Sequence, residues 1–347
     1  MPELGPLEAE ALPPGIRSRF VPDINGLRMH VLEAGFDDCG RPLVLLLHGF
    51  PELAYSWRKI MLPLASAGYR VVAPDQRGYG RTTGWDADDD GDLGSFRILN
   101  AVRDALGLIA ALGHREAALV AGHDFGAPVA AWCTLVRPDV FRSVALMSAP
   151  FSGPPELPFD TADHPPPRSL GPDIHAELAK LDRPRKHYQW YYSTRPANAD
   201  MWRCPQGVHA FLRGYFHYKS ADWSGNKPYP LQSWTASELA KMPTYYIMDL
   251  AKSMAETVMP VMPSDAEIAA SQWLPDNELK VYSSEYQRNG FQGGLQWYRA
   301  RTGAFERMQQ TACIRMLGCH LLDGAGHWVQ QEQPAQVTEL LLQLLRR

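Results

Sequence analysis

The chain has 347 residues, of which 45% are apolar, and it can therefore bury a sizeable core, as one large domain or as a core with an inserted module. Its formal net charge of −4 comes from mixed charges without a basic stripe, which argues against nucleic acid and anionic membrane surfaces as partners. Scattered cysteines, no secretory signal and no membrane-spanning apolar window predict a cytoplasmic protein with no membrane attachment.

The first half of the chain alternates apolar strand patterns with amphipathic helical patterns. This alternation predicts βαβ units and a mostly parallel sheet. Strands are predicted at 28–35, 42–49, 69–75, 116–123 and 141–150, and helices at 53–68, 95–113 and 127–138. Polar residues follow where each strand ends, so the carboxyl edge of the sheet is the expected place for chemistry.

The composition changes at residue 151, where a proline-rich stretch leads into helical, aromatic-rich sequence. We interpret residues 151–295 as an inserted helical cap, and residues 1–150 and 296–347 as the core. The last part of the core is predicted as a helix at 303–315, a strand and turn within 316–328, and a closing helix at 335–347.

The segment "AGHDFGAP" carries an aspartate, Asp124, between a predicted strand and a predicted helix. Small residues two positions before and after it, Gly122 and Gly126, are what a sharp strand-to-helix turn requires, because a larger Cβ would collide with neighbouring backbone. Asp124 would then stand at the carboxyl end of the strand. The alternative is that Asp124 only caps the helix that starts near Gly126.

Two further motifs point to the same edge of the sheet. In "HGFPELAYSW" the loop after a strand can present the backbone N–H of Phe50, and the N–H of Phe125 follows Asp124; together they would form an oxyanion hole. The side chain of His48 is expected only to shape this turn. In "DGAGHWVQQEQP" His327 follows a glycine turn late in the chain, which suits a catalytic histidine that comes after its nucleophile.

These segments, with "RVVAPDQRGYG" and "EYQRNGFQGGLQWYR", resemble in the same order the epoxide hydrolases of the α/β-hydrolase superfamily over most of residues 20–347. The resemblance implies an α/β-hydrolase fold with a helical cap, a small apolar epoxide and water as reactants, and no cofactor or metal. It also implies two cap tyrosines that hydrogen-bond the epoxide oxygen, matched by motif to Tyr188 and Tyr282. Nearby tyrosines leave open a slip of one helical turn: Tyr191, Tyr192 and Tyr286.

This chemistry explains why a carboxylate stands at the turn. A serine that attacked an epoxide would leave an ether, whereas Asp124 leaves an ester, and it is already ionised at pH 7. Tyr188 and Tyr282 would stabilise the departing alkoxide as neutral phenols. His327 would then activate a water that attacks the Asp124 carbonyl carbon, with the oxyanion held by Phe50 and Phe125, to release a vicinal diol.

One element of the resembled family is missing from its usual place. A strand that ends in an acid normally lies between the "WYR" helix and the histidine, but only residues 300–326 separate Arg299 from His327 here. Judged against a βα unit, roughly 30 residues and one core strand are absent. Ser148 follows the strand that could carry the acid instead, and Glu156 and Asp323 are poorly placed. The acid stays unassigned, and we expect ester formation with slow turnover.

Two alternative functions stay open from the sequence alone. A haloalkane or haloacetate dehalogenase also uses an aspartate ester, although Phe125 stands where many of those enzymes have tryptophan or arginine. A non-catalytic ligand-binding homologue would fit the absent acid. Residues 84–96 match the start of a calcium loop, but Arg97 occupies position 12 of a loop counted from Asp86, where a bidentate glutamate is needed, so a solvated loop is expected. The oligomeric state and the identity of the epoxide are not indicated.

Overall fold

The computed structural model describes residues 4–151, 153, 173–304 and 318–346. Its main sheet consists of strands β1 (Arg17–Ile24), β2 (Leu27–Ala34), β3 (Leu43–Leu47), β4 (Arg70–Pro74), β5 (Leu119–His123) and β6 (Val144–Met147). The strand order is β1-β2-β4-β3-β5-β6. Strand β2 pairs antiparallel with β1 and β4, whereas β4, β3, β5 and β6 run parallel, so the sheet is mixed.

Helices form a large part of the remaining described chain. In the core they are α1 (Arg58–Ser66), α2 (Ile98–Ala111) and α3 (Gly126–Val136). The inserted region contains α4 (Ile174–Ala179), α5 (Tyr188–Tyr192), α6 (Pro196–Trp202), α7 (Gly207–Lys219), α8 (Ala236–Leu239), α9 (Met254–Val258), α10 (Asp265–Ala270) and α11 (Asp276–Asn289). The chain ends with α12 (Gln292–Ala304), α13 (Val329–Glu332) and α14 (Pro334–Leu345). Within the described residues, no helix has the length and apolarity that crossing a membrane needs.

The centre of the sheet is buried, and its strands are apolar except for Arg70 at the start of β4 and His123 at the end of β5. All five residues of β3, of β4 and of β5 are buried, as expected for parallel strands with helices on both faces. Helix α1 packs with α14, and α2 packs with α3. The carboxyl ends of β3 and β5 therefore lie side by side in a rigid setting.

The inserted region is helical with one small sheet of its own, formed by β7 (Arg185–His187) and β8 (Ile247–Asp249), which pair antiparallel. Helices α7 and α11 pack on each other within it. Helix α12 joins this region to the core at a point where backbones meet: a Cβ on Gly293 would lie 1.9 Å from the carbonyl oxygen of Gly78. The predicted boundary at residue 295 falls inside α12.

Most core elements were predicted from the sequence, with the following differences. The five predicted strands are observed as β2 to β6, but β1 was missed, and the start of the predicted helix at 53–68 is a 3-10 turn at Ala54–Trp57. The predicted helix at 303–315 begins within α12, and its residues 305–315 lie outside the described residues, as do 152 and 154–172 of the proline-rich stretch.

The strand predicted within 316–328 is wrong over its described part, since residues 318–328 contain no strand. The backbone donors of this segment are used elsewhere. His327 donates to the carbonyl oxygen of Lys219 at 2.9 Å, and Gly326 donates to Glu332 Oε1 at 3.1 Å. An apolar run alone therefore does not make a strand.

Candidate active site

Asp124 stands at a sharp turn between β5 and α3, with a φ of +50°. The turn requires its glycines: a Cβ on Gly122 would lie 2.1 Å from the carbonyl oxygen of Gly126, and one on Gly126 would lie 2.1 Å from that of Leu47. The residue at the cap position of α3 is Phe125, which makes no side-chain capping bond. The carboxylate of Asp124 instead points to the loop after β3.

That loop brings a backbone N–H group to the carboxylate. Phe50 N donates to Asp124 Oδ1 at 3.0 Å. A Cβ on Gly49 would lie 2.4 Å from Asp124 Oδ1 and 2.7 Å from Phe125 N, so the loop and the turn approach each other closely here. Phe50 N therefore bonds to Asp124 and Phe125 N lies at the same close approach, while their role as an oxyanion hole stays a prediction.

His48 shapes this loop through its ring, as expected. It is fully buried, its Nδ1 lies 2.9 Å from the carbonyl oxygen of Gly49, and its Nε2 lies 3.1 Å from the backbone N of Gln76. A neutral ring that donates from Nδ1 and accepts at Nε2 satisfies both bonds. Burial lowers the pKa of His48, in keeping with that neutral form.

The imidazole ring of His327 lies beside the carboxylate of Asp124. Its Nε2 lies 3.2 Å from Asp124 Oδ2, without the alignment of a hydrogen bond. Its backbone is held at both ends, because its N donates to the carbonyl oxygen of Lys219 while its own carbonyl accepts from Ser148 Oγ at 2.7 Å and contacts His123 Nε2 at 2.6 Å. The main chain thus fixes the histidine independently of its ring.

The charges at the site are set by burial and by neighbours. Although burial opposes ionisation, His327 and the ammonium of Lys219 hold the pKa of Asp124 well below its ordinary range. Burial, and next the ammonium of Lys219, lower the pKa of His327 to about 4. At neutral pH the pair is therefore an ionised carboxylate beside a neutral imidazole, the charge states that nucleophilic attack and general base catalysis need.

Among the described residues, Asp124 provides the one carboxylate in ion-pair contact with the His327 ring. Asp323 is exposed, and Glu156 lies outside the described residues. Ser148, which follows β6, bonds to the His327 carbonyl and not to its ring. An acid that orients the imidazole is thus still unassigned.

A buried carboxylate that was not singled out from the sequence acts on the His327 backbone instead. Glu52 Oε2 lies 2.5 Å from His123 Nδ1, and the other ring nitrogen of His123 reaches the His327 carbonyl. Gln330 and Gln331 donate to Glu52 Oε1 at 2.8 and 3.1 Å. Although burial opposes it, His123 keeps the pKa of Glu52 below its ordinary value.

The two predicted tyrosines lie in different surroundings. The hydroxyl of Tyr188, at the start of α5, accepts from Gln189 Nε2 at 3.1 Å; burial and the charge of Asp124 raise its pKa to about 12. The hydroxyl of Tyr282, in α11, donates to Gln331 Oε1 at 3.0 Å and lies 2.9 Å from Ser56 Oγ. Tyr188 is thus within electrostatic range of Asp124, whereas Tyr282 is engaged in a buried polar cluster. Both roles stay predictions.

The alternative tyrosines are also engaged. Tyr191 donates to Asp200 at 2.9 Å, away from Asp124. Tyr192 donates to the hydroxyl of Tyr215 at 3.2 Å, and Tyr286 donates to the carbonyl oxygen of Glu52 at 3.4 Å. An assignment of the proton-donor pair that is shifted by one helical turn, to these neighbouring tyrosines, therefore stays open.

Aromatic rings form the walls around Asp124. The rings of Phe125 and Tyr298 lie 4.6 Å apart edge to face, and that of Phe50 lies 5.1 Å from Tyr192 and 5.6 Å from Tyr298. Such walls suit an apolar substrate and exclude water. Over the described part of the chain, no group of three or more His, Cys, Asp or Glu side chains is arranged to hold a metal ion.

Comparison with known proteins places the chain in a family. The α/β-hydrolase fold profile matches residues 42–241. Epoxide hydrolase A of Mycobacterium tuberculosis is 32% identical over 354 aligned residues, which cover 93% of this chain and 95% of the relative. The chain belongs to the epoxide hydrolase-like α/β hydrolases. Epoxide hydrolase B of the same organism is 29% identical to this hydrolase, with 92% and 96% covered.

Solved structures agree with this assignment of the epoxide hydrolase-like chain. An epoxide hydrolase from an endophytic Streptomyces superimposes with a TM-score of 0.68 at 28% identity, covering 96% of both chains. Potato (Solanum tuberosum) epoxide hydrolase I gives a TM-score of 0.65 at 26% identity, covering 95% of this chain and 99% of its own. The predicted fold family and hydrolase class are therefore confirmed.

Proposed function

We propose that this protein opens small apolar epoxides to vicinal diols through an ester of Asp124. The observation that carries the proposal is the setting of one carboxylate at the end of β5. It lies on a strained turn, accepts from Phe50 N at 3.0 Å and faces His327 Nε2 at 3.2 Å. The epoxide hydrolases of M. tuberculosis, similar over more than nine tenths of the chain, support the choice of substrate class.

In the first step an oxygen of Asp124 attacks an epoxide carbon, a C–O bond forms, and the ring C–O bond breaks. The depressed pKa of Asp124 means that the nucleophile needs no base. The leaving alkoxide takes a hydrogen bond and then a proton. We assign this donation to Tyr188 and Tyr282, and Tyr188 is the better placed of the two because its phenol already interacts with the charge of Asp124.

In the second step a water attacks the carbonyl carbon of the ester. His327, neutral above a pKa of about 4, accepts the proton of that water. The oxyanion that forms on the former Asp124 carboxylate is held by the N–H groups of Phe50 and Phe125. The ester C–O bond then breaks, and the second alkoxide takes the proton from His327 to release the diol. Asp124 is left as a carboxylic acid that loses its proton to solvent, and the tyrosinate of the first step regains a proton from solvent, so both groups return to their starting forms.

The second step is proposed to be slow, because the strand that carries the orienting acid in the resembled family is missing from its usual place in the sequence. Among the described residues no carboxylate other than Asp124 contacts the His327 ring. In the serine-protease triad, loss of the orienting acid lowers kcat by about 10⁴-fold. The ester should therefore accumulate.

The test is a single turnover in ¹⁸O-water with a simple aryl or alkyl epoxide, followed by mass spectrometry of the protein. We expect a substrate-sized mass increment on Asp124, then ¹⁸O in its carboxylate as the ester hydrolyses. The first diol should carry an oxygen from the protein. A protein that opens the epoxide without ever carrying the increment, or an Asp124→Ala variant with parental activity, would refute the proposal. Release of halide from a chloroalkane, with no diol from epoxides, would favour a dehalogenase.

Accumulation of the ester is tested separately. Fast multiple turnover by the parent protein would show that another group replaces the acid and would contradict the slow second step alone. A His327→Gln variant should form the ester at about the parental rate and fail to hydrolyse it. Rapid hydrolysis by that variant would remove His327 from the second step.

A further inference from the structure

A buried lysine lies against the site and has no part in the chemistry described so far. Lys219 is the last residue of α7, in the inserted region, and is only 2% exposed. No described carboxylate is in ion-pair contact with its ammonium, and no described residue accepts a hydrogen bond from Nζ. A lysine this deeply buried is unusual unless it is paired, so its retention needs a reason.

The ammonium of Lys219 is surrounded by aromatic rings. Its Nζ lies 5.2 Å from the ring centre of Tyr215, 5.3 Å from that of Tyr246, 5.8 Å from that of Tyr245 and 5.2 Å from that of Trp328. Cations within about 6 Å of ring faces are attracted by the ring quadrupole. The rings come from α7, from the segment before β8 and from the residue next to His327, so they hold the ammonium at the junction of cap and core.

The same residue contacts His327 through its main chain. The carbonyl oxygen of Lys219 accepts from His327 N at 2.9 Å and from Asn226 Nδ2 at 3.1 Å. A Cβ on Gly326 would lie 2.5 Å from that carbonyl oxygen, so the glycine turn is packed directly on the end of α7. The backbone contact keeps the ammonium and the imidazole in one fixed relation.

We propose that Lys219 is a positioning residue whose buried ammonium serves as the counter-ion of Asp124 and keeps the neighbouring His327 neutral, in place of control by an orienting acid. This inference rests on the proposed function for its catalytic meaning. The charged and titratable groups around the pair are those of the site: Asp124 and Glu52 attract the ammonium, while Lys219 and His123 oppose a proton on His327. The phenols of Tyr215, Tyr245 and Tyr246 stay neutral beside it, since burial raises the pKa of each.

The arrangement has a consequence for the reaction cycle. Before reaction, Lys219 favours the ionised form of Asp124, which is the nucleophile. Formation of the ester removes the negative charge that Lys219 balances. The positive charge of Lys219, which acts on Asp124 before reaction, then favours the negative charge that develops on the tetrahedral oxyanion. In both steps the ammonium acts through charge and not through contact with the substrate.

The experiment is an NMR titration of the His327 imidazole in the full-length protein without substrate, assigned with the His327→Gln variant. In the parent, His327 should stay neutral to about pH 4. In Lys219→Met, which keeps the length of the side chain and removes its charge, the midpoint should rise by about one pH unit or more, because a like charge has been removed. Lys219→Arg should leave the midpoint near the parental value.

Lys59→Met is the matched control. Lys59 is partly buried, and its pKa, like that of Lys219, is lowered to about 8. It differs from Lys219 in that it donates to the carbonyl oxygen of Trp273 and pairs with Glu278, away from Asp124. Its removal should leave His327 unchanged. An unmoved midpoint in Lys219→Met, or an equal rise in Lys59→Met, would overturn the proposal.

A second measurement needs no change at Lys219, in case Lys219→Met does not fold. Burial lowers the pKa of Lys219 to about 8, while Asp124 opposes this. In Asp124→Asn the midpoint of Lys219, followed at its Cε by NMR, should fall below its parental value. An unchanged midpoint would show that the two charges do not interact. Neither titration requires turnover, so a failed epoxide assay with normal titrations would reject the proposed function and not the role of Lys219.

Discussion

Replacing Lys219 with methionine should make the protein more stable at neutral pH. The pKa of Lys219 falls from an ordinary 10.5 to about 8 in the folded chain, chiefly because of burial. At about 1.4 kcal/mol per pKa unit, burying the ammonium opposes folding by about 3 kcal/mol at pH 7. Cation–π attraction to the surrounding rings offsets part of this, by about 0.5 to 2 kcal/mol. We therefore expect Lys219→Met to raise the free energy of unfolding by about 1 to 2 kcal/mol.

The pH dependence separates this effect from simple repacking. Between pH 8 and 10.5 the unfolded chain binds a proton at Lys219 that the folded chain has lost, so the parent becomes more stable as the pH rises. Lys219→Met lacks that gain. The difference between the two proteins should therefore be largest at pH 7 and should shrink, or change sign, toward pH 10.5.

Urea unfolding at pH 7, 8, 9 and 10, followed by tryptophan fluorescence, measures this difference directly. Lys219→Arg serves as the control that keeps the charge: it should match the parent at pH 7, but it should lack the gain of the parent above pH 8, because a guanidinium keeps its proton over the whole series. A Lys219→Met protein that is less stable than the parent at pH 7, with the same pH slope, would refute the reasoning. The ammonium would then be a stabilising element and not one retained at a cost to stability, as functional groups often are.

Three further results are expected. Gly49→Ala should abolish ester formation in the mass assay, since its Cβ would lie 2.4 Å from Asp124 Oδ1, whereas Gly5→Ala, with nothing within 4 Å, should behave like the parent. Tyr188→Phe should slow ester formation by about 10²-fold or more in stopped-flow measurements, and an undiminished rate would exclude Tyr188 as the donor. The unfolded chain binds a proton at His327 below pH 6.5, whereas the folded chain, in which the pKa of His327 is about 4, does so only near pH 4. The free energy of unfolding should therefore decrease by about 3 kcal/mol as the pH falls from 6.5 to 4, and the decrease should be smaller in His327→Gln.

The parts of the site that the sequence predicted are those set by local sterics. The turn at Asp124 needs Gly122 and Gly126 because backbone atoms lie about where a Cβ would be, and this requirement is visible as spacing in the sequence. The same holds for the loop at Gly49, which presents Phe50 N to Asp124. Central strands were found because parallel strands buried on both faces are apolar over most of their length.

The parts that were missed depend on contacts between distant segments. Strand β1 is half-exposed and carries Arg17 and Arg19, which bond to the fully buried Glu33 of β2. That pairing explains a polar edge strand, but nothing in the sequence of β1 signals it. Lys219 likewise looks like an ordinary basic residue at the end of a helix, a position that cations favour. Only the packing of α7 on the turn before His327 reveals that it is buried.

The proposed control of His327 separates two tasks that one acid performs together in a triad. An acid on the ring orients the imidazole and also stabilises its protonated form. Here orientation is provided through the backbone of His327, which Lys219, Ser148 and His123 hold from different elements. Charge is provided by an ammonium, which acts in the opposite sense to a carboxylate, since it disfavours the imidazolium. It follows that the first step keeps a fully ionised nucleophile while the second has a well-placed but weak base, which is the physical reason to expect the ester to outlast its formation.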